Sequence, residues 1–465
     1  MQTERRLAEF ITDTKYENLP PETLKFVRTL AQRVLATTVA GAGEPDCQRM
    51  VDLVKDWGGK REATILTDGD MVPAHAAAFV NSVMARALDY EDGHPPGVHY
   101  TPSVIPTALA AVELAGGCSG KEFLTAITLG SELVAKLNTC TVYDGFDPTG
   151  IVSIFGAAAA AGRILGFDAK AMANTLALAF NRSGGSFQCN IDGALAVRTI
   201  QGFVSQGAIF CAQLTQRGIT GPPNFINGIY GYAHLYGRDK FNTEEMARKL
   251  GSTFDLHNTL CKKYPSCGCT LSATDATLEL LDQYRFTPEE VERVDVTLCP
   301  ASFKLVGHPF KIGSNPRVDG QFSVQYCVAN AVLRKKSILA HFDENAVKDP
   351  KIMEFVKKCF VAPDPGLREG GAEITPSARV KIKTRKGDVY EKFVRLARGF
   401  AGNPLSDEEH VEHFWDCMDY ARKPPSKENA EKILSLMHGL EQVEDVRVLI
   451  PLLTGATRKA SVTAQ

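Results

Sequence analysis

What this sequence lacks narrows its function before any motif is weighed. No apolar run approaches the roughly eighteen residues that a membrane-spanning helix needs. The most apolar stretch, residues 155–161, is short and rich in alanine. No block of like charge occurs either: 52 Lys and Arg stand against 54 Asp and Glu, a formal net charge of −2. A nucleic-acid or membrane-surface partner wants a concentrated basic field, so neither is expected. The opening Met1-Gln2-Thr3-Glu4-Arg5-Arg6 leads directly into an amphipathic pattern, without a basic-then-apolar signal segment, and a cytoplasmic location is expected. There is no P-loop, serine nucleophile elbow or HExxH, so cofactor chemistry finds no foothold and none is expected. Gly41-Ala42-Gly43 closes a helical pattern instead of following a strand, which removes the dinucleotide-binding context. The twelve cysteines lack a framework spacing and read as reduced core residues. Only Cys267-Gly268-Cys269 stand close, without the second pair or histidine of a zinc site, so no metal is expected.

What is present is ordinary globular composition, 44% hydrophobic and 23% charged, over 465 residues. That length exceeds what one core usually serves, so two domains are expected. From Leu7 to about Gly251 the apolar spacing is helical, with helices predicted over 73–90, 103–115, 120–139, 154–165, 169–180 and 200–217. Another starts at Pro21-Glu22, where a missing amide and a negative charge both suit a first turn. Small residues crowd several of these helices and permit close approach in a tight bundle. Beyond Asp275 the texture alternates. Residues 291–298 and 378–384 read as half-buried strands, and 389–394 as a hairpin partner after a Gly387-Asp388 turn. Helices are predicted between them over 319–334 and 345–359, followed by a helical tail over 406–453. The fold class expected is therefore mainly α. A large all-helical domain would comprise residues 1–265 and 400–465, and a smaller α+β domain residues 266–399.

Three clusters can carry chemistry. Asp89-Tyr90-Glu91-Asp92-Gly93-His94-Pro95-Pro96-Gly97-Val98-His99 is the densest group of titratable side chains. It either converges on a cleft, where carboxylates and imidazoles supply a base and an acid, or caps a helix with solvated charges. Cys261-Lys262-Lys263-Tyr264-Pro265-Ser266-Cys267 marks the change of texture, where ligand clefts are common, and a lysine there can hold a carboxylate. Gly307-His308-Pro309-Phe310-Lys311-Ile312-Gly313-Ser314-Asn315-Pro316-Arg317 is a basic loop suited to an anion or simply to solvent. His410 and His413 lie at helical spacing among acids and read as a solvated face.

Collinear stretches through nearly the whole chain resemble the MmgE/PrpD family. They include Ala87-Leu88-Asp89-Tyr90-Glu91-Asp92, Ser103-Val104-Ile105-Pro106-Thr107-Ala108, Leu129-Gly130-Ser131-Glu132-Leu133, Phe155-Gly156-Ala157-Ala158, Gln216-Arg217-Gly218-Ile219-Thr220-Gly221-Pro222, Lys263-Tyr264-Pro265 and Gln321-Phe322-Ser323-Val324. The family includes 2-methylcitrate dehydratases, cis-aconitate decarboxylases and an iminodisuccinate epimerase. The resemblance implies an all-helical domain, an α+β lid, a cleft between them, a homodimer, no cofactor, and proton movement beside a carboxylate. It places Asp89 and His99 at the positions of the family's active-site Asp and His, and Lys263 as a carboxylate-binding or acid–base lysine.

The chain also departs from its relatives. Asp147 stands where dehydratase-like and decarboxylase-like members tend to carry His, and Val197 where they tend to carry Lys. Gly93 replaces a Thr of the decarboxylases, and Tyr100-Thr101 separates His99 from Pro102-Ser103. Losing two cationic positions and gaining a carboxylate would leave a tricarboxylate poorly neutralised. A substrate with fewer carboxylates, or with an amine that Asp147 can pair, is expected. Catalysis is assigned to Asp89, His94, His99, Asp147 and Lys263, with His99 moving the proton and His94 or Asp147 acting as acid. Substrate binding is assigned to Asp92, Arg198, Tyr264, Lys311, Arg317 and Gln321. The first reading is a cofactor-independent lyase of the hydratase/dehydratase kind acting on a small carboxylate. Epimerisation of an amino- or imino-dicarboxylate, decarboxylation, and a non-catalytic scaffold follow in that order.

Overall fold

In the computed structural model of the chain the described residues are 2–192, 194–367 and 376–455, the side chains of 190 and 191 excepted. Gly193, one of the residues in the stretch before Arg198, lies outside them. The chain divides into two compact units, each taken by itself below.

The first unit comprises Met1–Ala87, Gly97–Asn258 and His413–Gln465. Its centre is a helical bundle: α1 (Pro21–Gly41), α2 (Ala74–Arg86), α3 (Thr101–Ala115), α4 (Gly120–Asn138), α5 (Ile154–Ile164), α6 (Ala169–Arg182) and α7 (Ala196–Gln216). The predicted small-residue packing is realised at particular atoms. A Cβ on Gly130 would lie 2.5 Å from the Gly156 carbonyl oxygen, and one on Gly156 would lie 2.4 Å from that of Gly130. The α4 and α5 backbones therefore touch where only glycine fits. Ala157 to Ala161 on α5 are fully buried, so this helix is surrounded by protein. Helix α2 stops at Arg86, short of the predicted residue 90, because Asp89 takes a left-handed φ of +53° that a helix cannot continue through.

The second unit comprises Leu88–Pro96 and Thr259–Glu412. It begins with a two-residue ladder of β1 (Asp92–Gly93) on β2 (Leu260–Cys261), pairing Asp92 with Cys261 and Gly93 with Leu260. Its sheet consists of β3 (Val291–Leu298), β4 (Cys359–Pro363), β5 (Ala378–Thr384) and β6 (Val389–Val394), in the order β4-β3-β5-β6. The β5–β6 pair is the predicted hairpin, with Gly387 at φ +93° in its turn. Val294, Val296, Val380 and Ile382 alternate onto the buried face and share a core with α8 (Leu271–Tyr284) and α10 (Val324–Arg334).

Three expectations are revised by backbone hydrogen bonding. The 88–96 loop, expected with the helical domain, belongs to the second unit through the β1–β2 ladder, and the division falls at 258/259 and 412/413 instead of 265/266 and 399/400. The predicted 319–334 helix is two, α9 (Pro316–Gln321) and α10, parted where the Ser323 hydroxyl accepts the Tyr326 amide at 3.2 Å and caps α10. The predicted 345–359 helix breaks into Glu344–Val347 and Pro350–Val356, and β4 follows as a parallel edge strand on β3. An edge strand carries only a weak alternation, and Pro363 at its end is tolerated there.

Candidate active site

The 88–96 segment is fixed by main-chain and side-chain contacts within the second unit. Gln321 on α9 donates from Nε2 to the carbonyls of Leu88 at 2.6 Å and Pro265 at 3.0 Å, tying the two chemistry-bearing stretches together. The ammonium of Lys262 grips Asp89 twice, 2.8 Å from carboxylate Oδ1 and 3.0 Å from the main-chain carbonyl. The left-handed turn at Asp89 thus presents carbonyl and carboxylate to one cation. Both partners are almost fully buried, so each charge depends on the other. Tyr90 donates to the Lys263 carbonyl at 3.2 Å, and His94 Nδ1 shares a hydrogen bond with the Thr259 hydroxyl at 3.2 Å. Glu91, Asp92 and His94 are all buried. The solvated-cap alternative for these residues fails on burial.

Lys263 points elsewhere. Its ammonium lies 3.2 Å from Glu409 Oε1 and over the Tyr264 ring, 5.5 Å from the centroid. Tyr264 donates to Asp275 Oδ1 at 2.7 Å, and Asp275 Oδ2 accepts the Arg398 amide at 2.8 Å. Burial raises the Asp275 carboxyl, and burial together with the adjoining Asp275 raises the Tyr264 phenol, so the pair is held as a hydrogen bond with the phenol as donor. Burial would raise Glu409 as well, but the Ser406 amide, Lys263 and Arg398 outweigh it and hold that carboxyl low.

In the first unit His99 and Asp147 are set by one turn. Asp147 precedes a π-helical turn, Thr149–Ser153, and its Oδ1 accepts the Thr149 amide at 2.9 Å. Such turns recur at functional sites because they displace side chains from the α-helical register. The Thr149 hydroxyl accepts the His99 amide at 3.2 Å, and Gln201 on α7 donates to the His99 carbonyl at 3.1 Å. The His99 backbone is thereby clamped on both sides. Burial raises the Asp147 carboxyl, partly opposed by the amides of Thr149 and Gly150 and by the charges of His99 and Arg86.

The remaining predicted binding residues are mostly occupied. Arg198 is buried 3.7 Å from Asp46 and 3.9 Å from Glu44, and Arg317 is paired with Asp343 at 2.7 Å. Lys311 is exposed on its loop. Sequence reading singled out Lys263 and passed over Lys262, the lysine that meets Asp89. No pattern in Lys262-Lys263 distinguishes the two; only the β2 pairing decides which side chain turns inward. No third His, Cys, Asp or Glu ligand atom joins Cys267 and Cys269 among the described residues.

Against known proteins, residues 5–244 match the profile of the MmgE/PrpD N-terminal domain and residues 264–438 that of the MmgE/PrpD C-terminal domain. The chain is 22% identical to a cis-aconitate decarboxylase-like protein, oryM, of Aspergillus oryzae, over 97% of this chain and 96% of that protein. It is 23% identical to the human cis-aconitate decarboxylase, over 83% of this chain and 80% of the relative. The mouse cis-aconitate decarboxylase is 23% identical over 89% and 86% respectively.

Proposed function

The chain belongs to the MmgE/PrpD family, and from that premise we propose that it is a lyase that removes a proton beside a carboxylate of a small substrate, in the hydratase/dehydratase manner. The observation that carries this reading is the 89–94 stretch, whose acids Asp89, Glu91 and Asp92 and imidazole His94 are buried and whose Asp89 is fixed by Lys262. A carbanion beside a carboxylate needs a base at the proton and a cation at the oxygens. His99, clamped through its backbone, is the base. Lys262 neutralises and fixes Asp89, and Lys311, exposed on its loop, is the cation for the substrate's carboxylate. The raised carboxyl of Asp147 keeps its proton to higher pH than a solvated aspartate and delivers it to a departing hydroxyl. His94 is the second candidate for that acid.

The cations in hand support a substrate poorer in charge than a tricarboxylate. Of the four cations assigned to carboxylates, Arg198, Lys263 and Arg317 already meet acids of their own unit. A decarboxylase is the second reading, favoured by the names of the three relatives; there the C–C bond to a carboxylate breaks, carbon dioxide leaves, and the carbon left behind takes a proton from an acid such as Asp147 or His99. The test is incubation in deuterated buffer with mono-, di- and tricarboxylates and amino-dicarboxylates, followed by proton NMR. Deuterium uptake beside a carboxylate with loss of water, abolished in His99→Ala and Asp89→Asn, is expected. Loss of carbon dioxide would select the second reading. Silence on every compound, with no ligand raising the unfolding temperature, would leave a non-catalytic scaffold.

A further inference from the structure

We propose that Thr149 and Gln201 are the positioning residues of His99, which fix the reach of its imidazole and set it against Asp147; this rests on the lyase reading above. His99 lies just before α3, in neither helix nor strand, so no helical or strand ladder orients it. Both of its peptide groups are instead held by side chains from distant elements. The Thr149 hydroxyl accepts the His99 amide at 3.2 Å, and Gln201 Nε2 donates to the His99 carbonyl at 3.1 Å. With the peptide planes on either side fixed, the Cα–Cβ bond of His99 has one direction, and only the two side-chain torsions remain free.

Each arm of this clamp is itself anchored. Thr149 opens the π-helical turn, and its own amide donates to Asp147 Oδ1 at 2.9 Å, so one residue touches both the base and the acid of the proposed reaction. That turn is bound to the backbone of residues 184–185. The Asp147 amide donates to the Gly185 carbonyl at 3.1 Å, and the Gly184 amide to the Gly150 carbonyl at 3.2 Å. A Cβ on Gly150 would lie 2.0 Å from the Gly184 carbonyl oxygen, so the two backbones meet where only glycine fits.

The other arm ends a one-way chain of buried hydrogen bonds. A carbonyl cannot donate, so the side of the Gln201 amide that faces His99 is its NH2 group. Oε1 then turns to Ser103, whose hydroxyl donates to it. The Ser205 hydroxyl donates to the Ser103 carbonyl at 3.2 Å, which leaves Ser82 as the donor in its 2.6 Å contact with Ser205. Ser82 on α2, Ser103 on α3, and Gln201 and Ser205 on α7 are all fully buried. Turning the Gln201 amide over would press Oε1 against the His99 carbonyl oxygen and leave that buried acceptor unmet. Apolar residues would pack these helices without such a chain; this one ends on the residue assigned to move the proton.

The test uses the full chain with isotope-labelled histidine, in which the His99 imidazole signal, among ten histidines, is the one missing from His99→Ala. Thr149→Val removes the hydroxyl at nearly constant volume and leaves the amide on Asp147. Gln201→Met removes both side-chain hydrogen bonds at similar length. Each is expected to shift and broaden the His99 signal, and Thr149→Ser, which restores the hydroxyl, to return it to its natural position. Ser103→Ala frees the amide to turn and is expected to move the signal less; on the Gln201→Met background it should add nothing. An unmoved His99 signal in the folded Thr149→Val and Gln201→Met proteins, or no return in Thr149→Ser, would overturn the proposal. Should those two variants fail to fold, Ser103→Ala decides, and a natural His99 signal there overturns it as well. With a compound that exchanges deuterium, kcat is expected to fall about 100-fold in Thr149→Val and Gln201→Met with KM within about twofold, because a misplaced base slows proton transfer without loosening bound substrate. Thr149→Ser should restore most of it. A raised KM at unchanged kcat would make the pair substrate-binding residues and sink their positioning role. If no compound exchanges, the lyase reading fails, and the His99 signal alone decides the clamp.

Discussion

Asp89 and Asp147 are equally buried, 5% and 4% exposed, yet their surroundings treat a negative charge in opposite ways. Asp89 has an ammonium 2.8 Å from its carboxylate, whereas Asp147 is met by backbone amides, with His99 and Arg86 acting on it as charges. A full opposing charge at contact suits a permanent carboxylate; amide dipoles against strong desolvation favour a carboxyl that keeps its proton. Two aspartates of one protein are thus suited to separate tasks, fixed anion and acid, by what lies next to them.

The largest way to break this comparison is to remove the cation. Lys262→Met removes the ammonium 2.8 Å from the buried Asp89 carboxylate and is expected to destabilise by about 3–5 kcal/mol in urea unfolding. Adding Asp89→Asn to it should recover part of that loss. A single-variant effect below about 1 kcal/mol would mean the pair is solvated.

A third carboxylate sharpens it. On α4, Lys136 is shared by Glu132 at 3.3 Å and Asp255 at 2.9 Å, and burial pushes Glu132 up to about 7 from 4.5. The folded state then holds a proton that the unfolded chain has released, so stability is greatest below pH 4.5 and falls as pH rises to 7. The contribution reaches about 3 kcal/mol. Subtracting the stability of Glu132→Gln from that of the natural protein across this window should expose the slope; parallel curves would show that Glu132 stays ionised.

Asp147 gives a smaller effect. Asp147→Asn keeps an acceptor for the Thr149 amide and should change stability by less than about 1 kcal/mol, while Asp147→Ala should cost about 1–2 kcal/mol. Thermal unfolding at neutral pH separates them, and equal losses would mean the charge itself is required. Smallest of all, Lys311→Ala at an exposed position should stay within about 0.5 kcal/mol. If Lys311 reaches a substrate carboxylate, KM rises while stability does not move.

Local features that depend on period and punctuation were legible. The helices through residue 217, the β5–β6 hairpin and the Asp89–His99 stretch all follow from spacing, turn residues and the clustering of titratable groups. Features that depend on distant partners were not. Strand β4 exists because β3, more than sixty residues earlier, offers it a parallel edge. The 88–96 loop leaves the helical unit because β2, far along the chain, pairs with it.

By itself the sequence determined the fold class, the helical bundle, and the residue types available for acid–base work, because these rest on local propensity, periodicity and side-chain size. Tertiary structure alone decided that Lys262 and not Lys263 meets Asp89, that Arg198 and Arg317 are already paired with acids, and that Asp89 faces an ammonium where Asp147 faces backbone amides. Charge state is set by neighbours within a few ångströms and by the exclusion of water, and both come from chain segments that are remote in sequence.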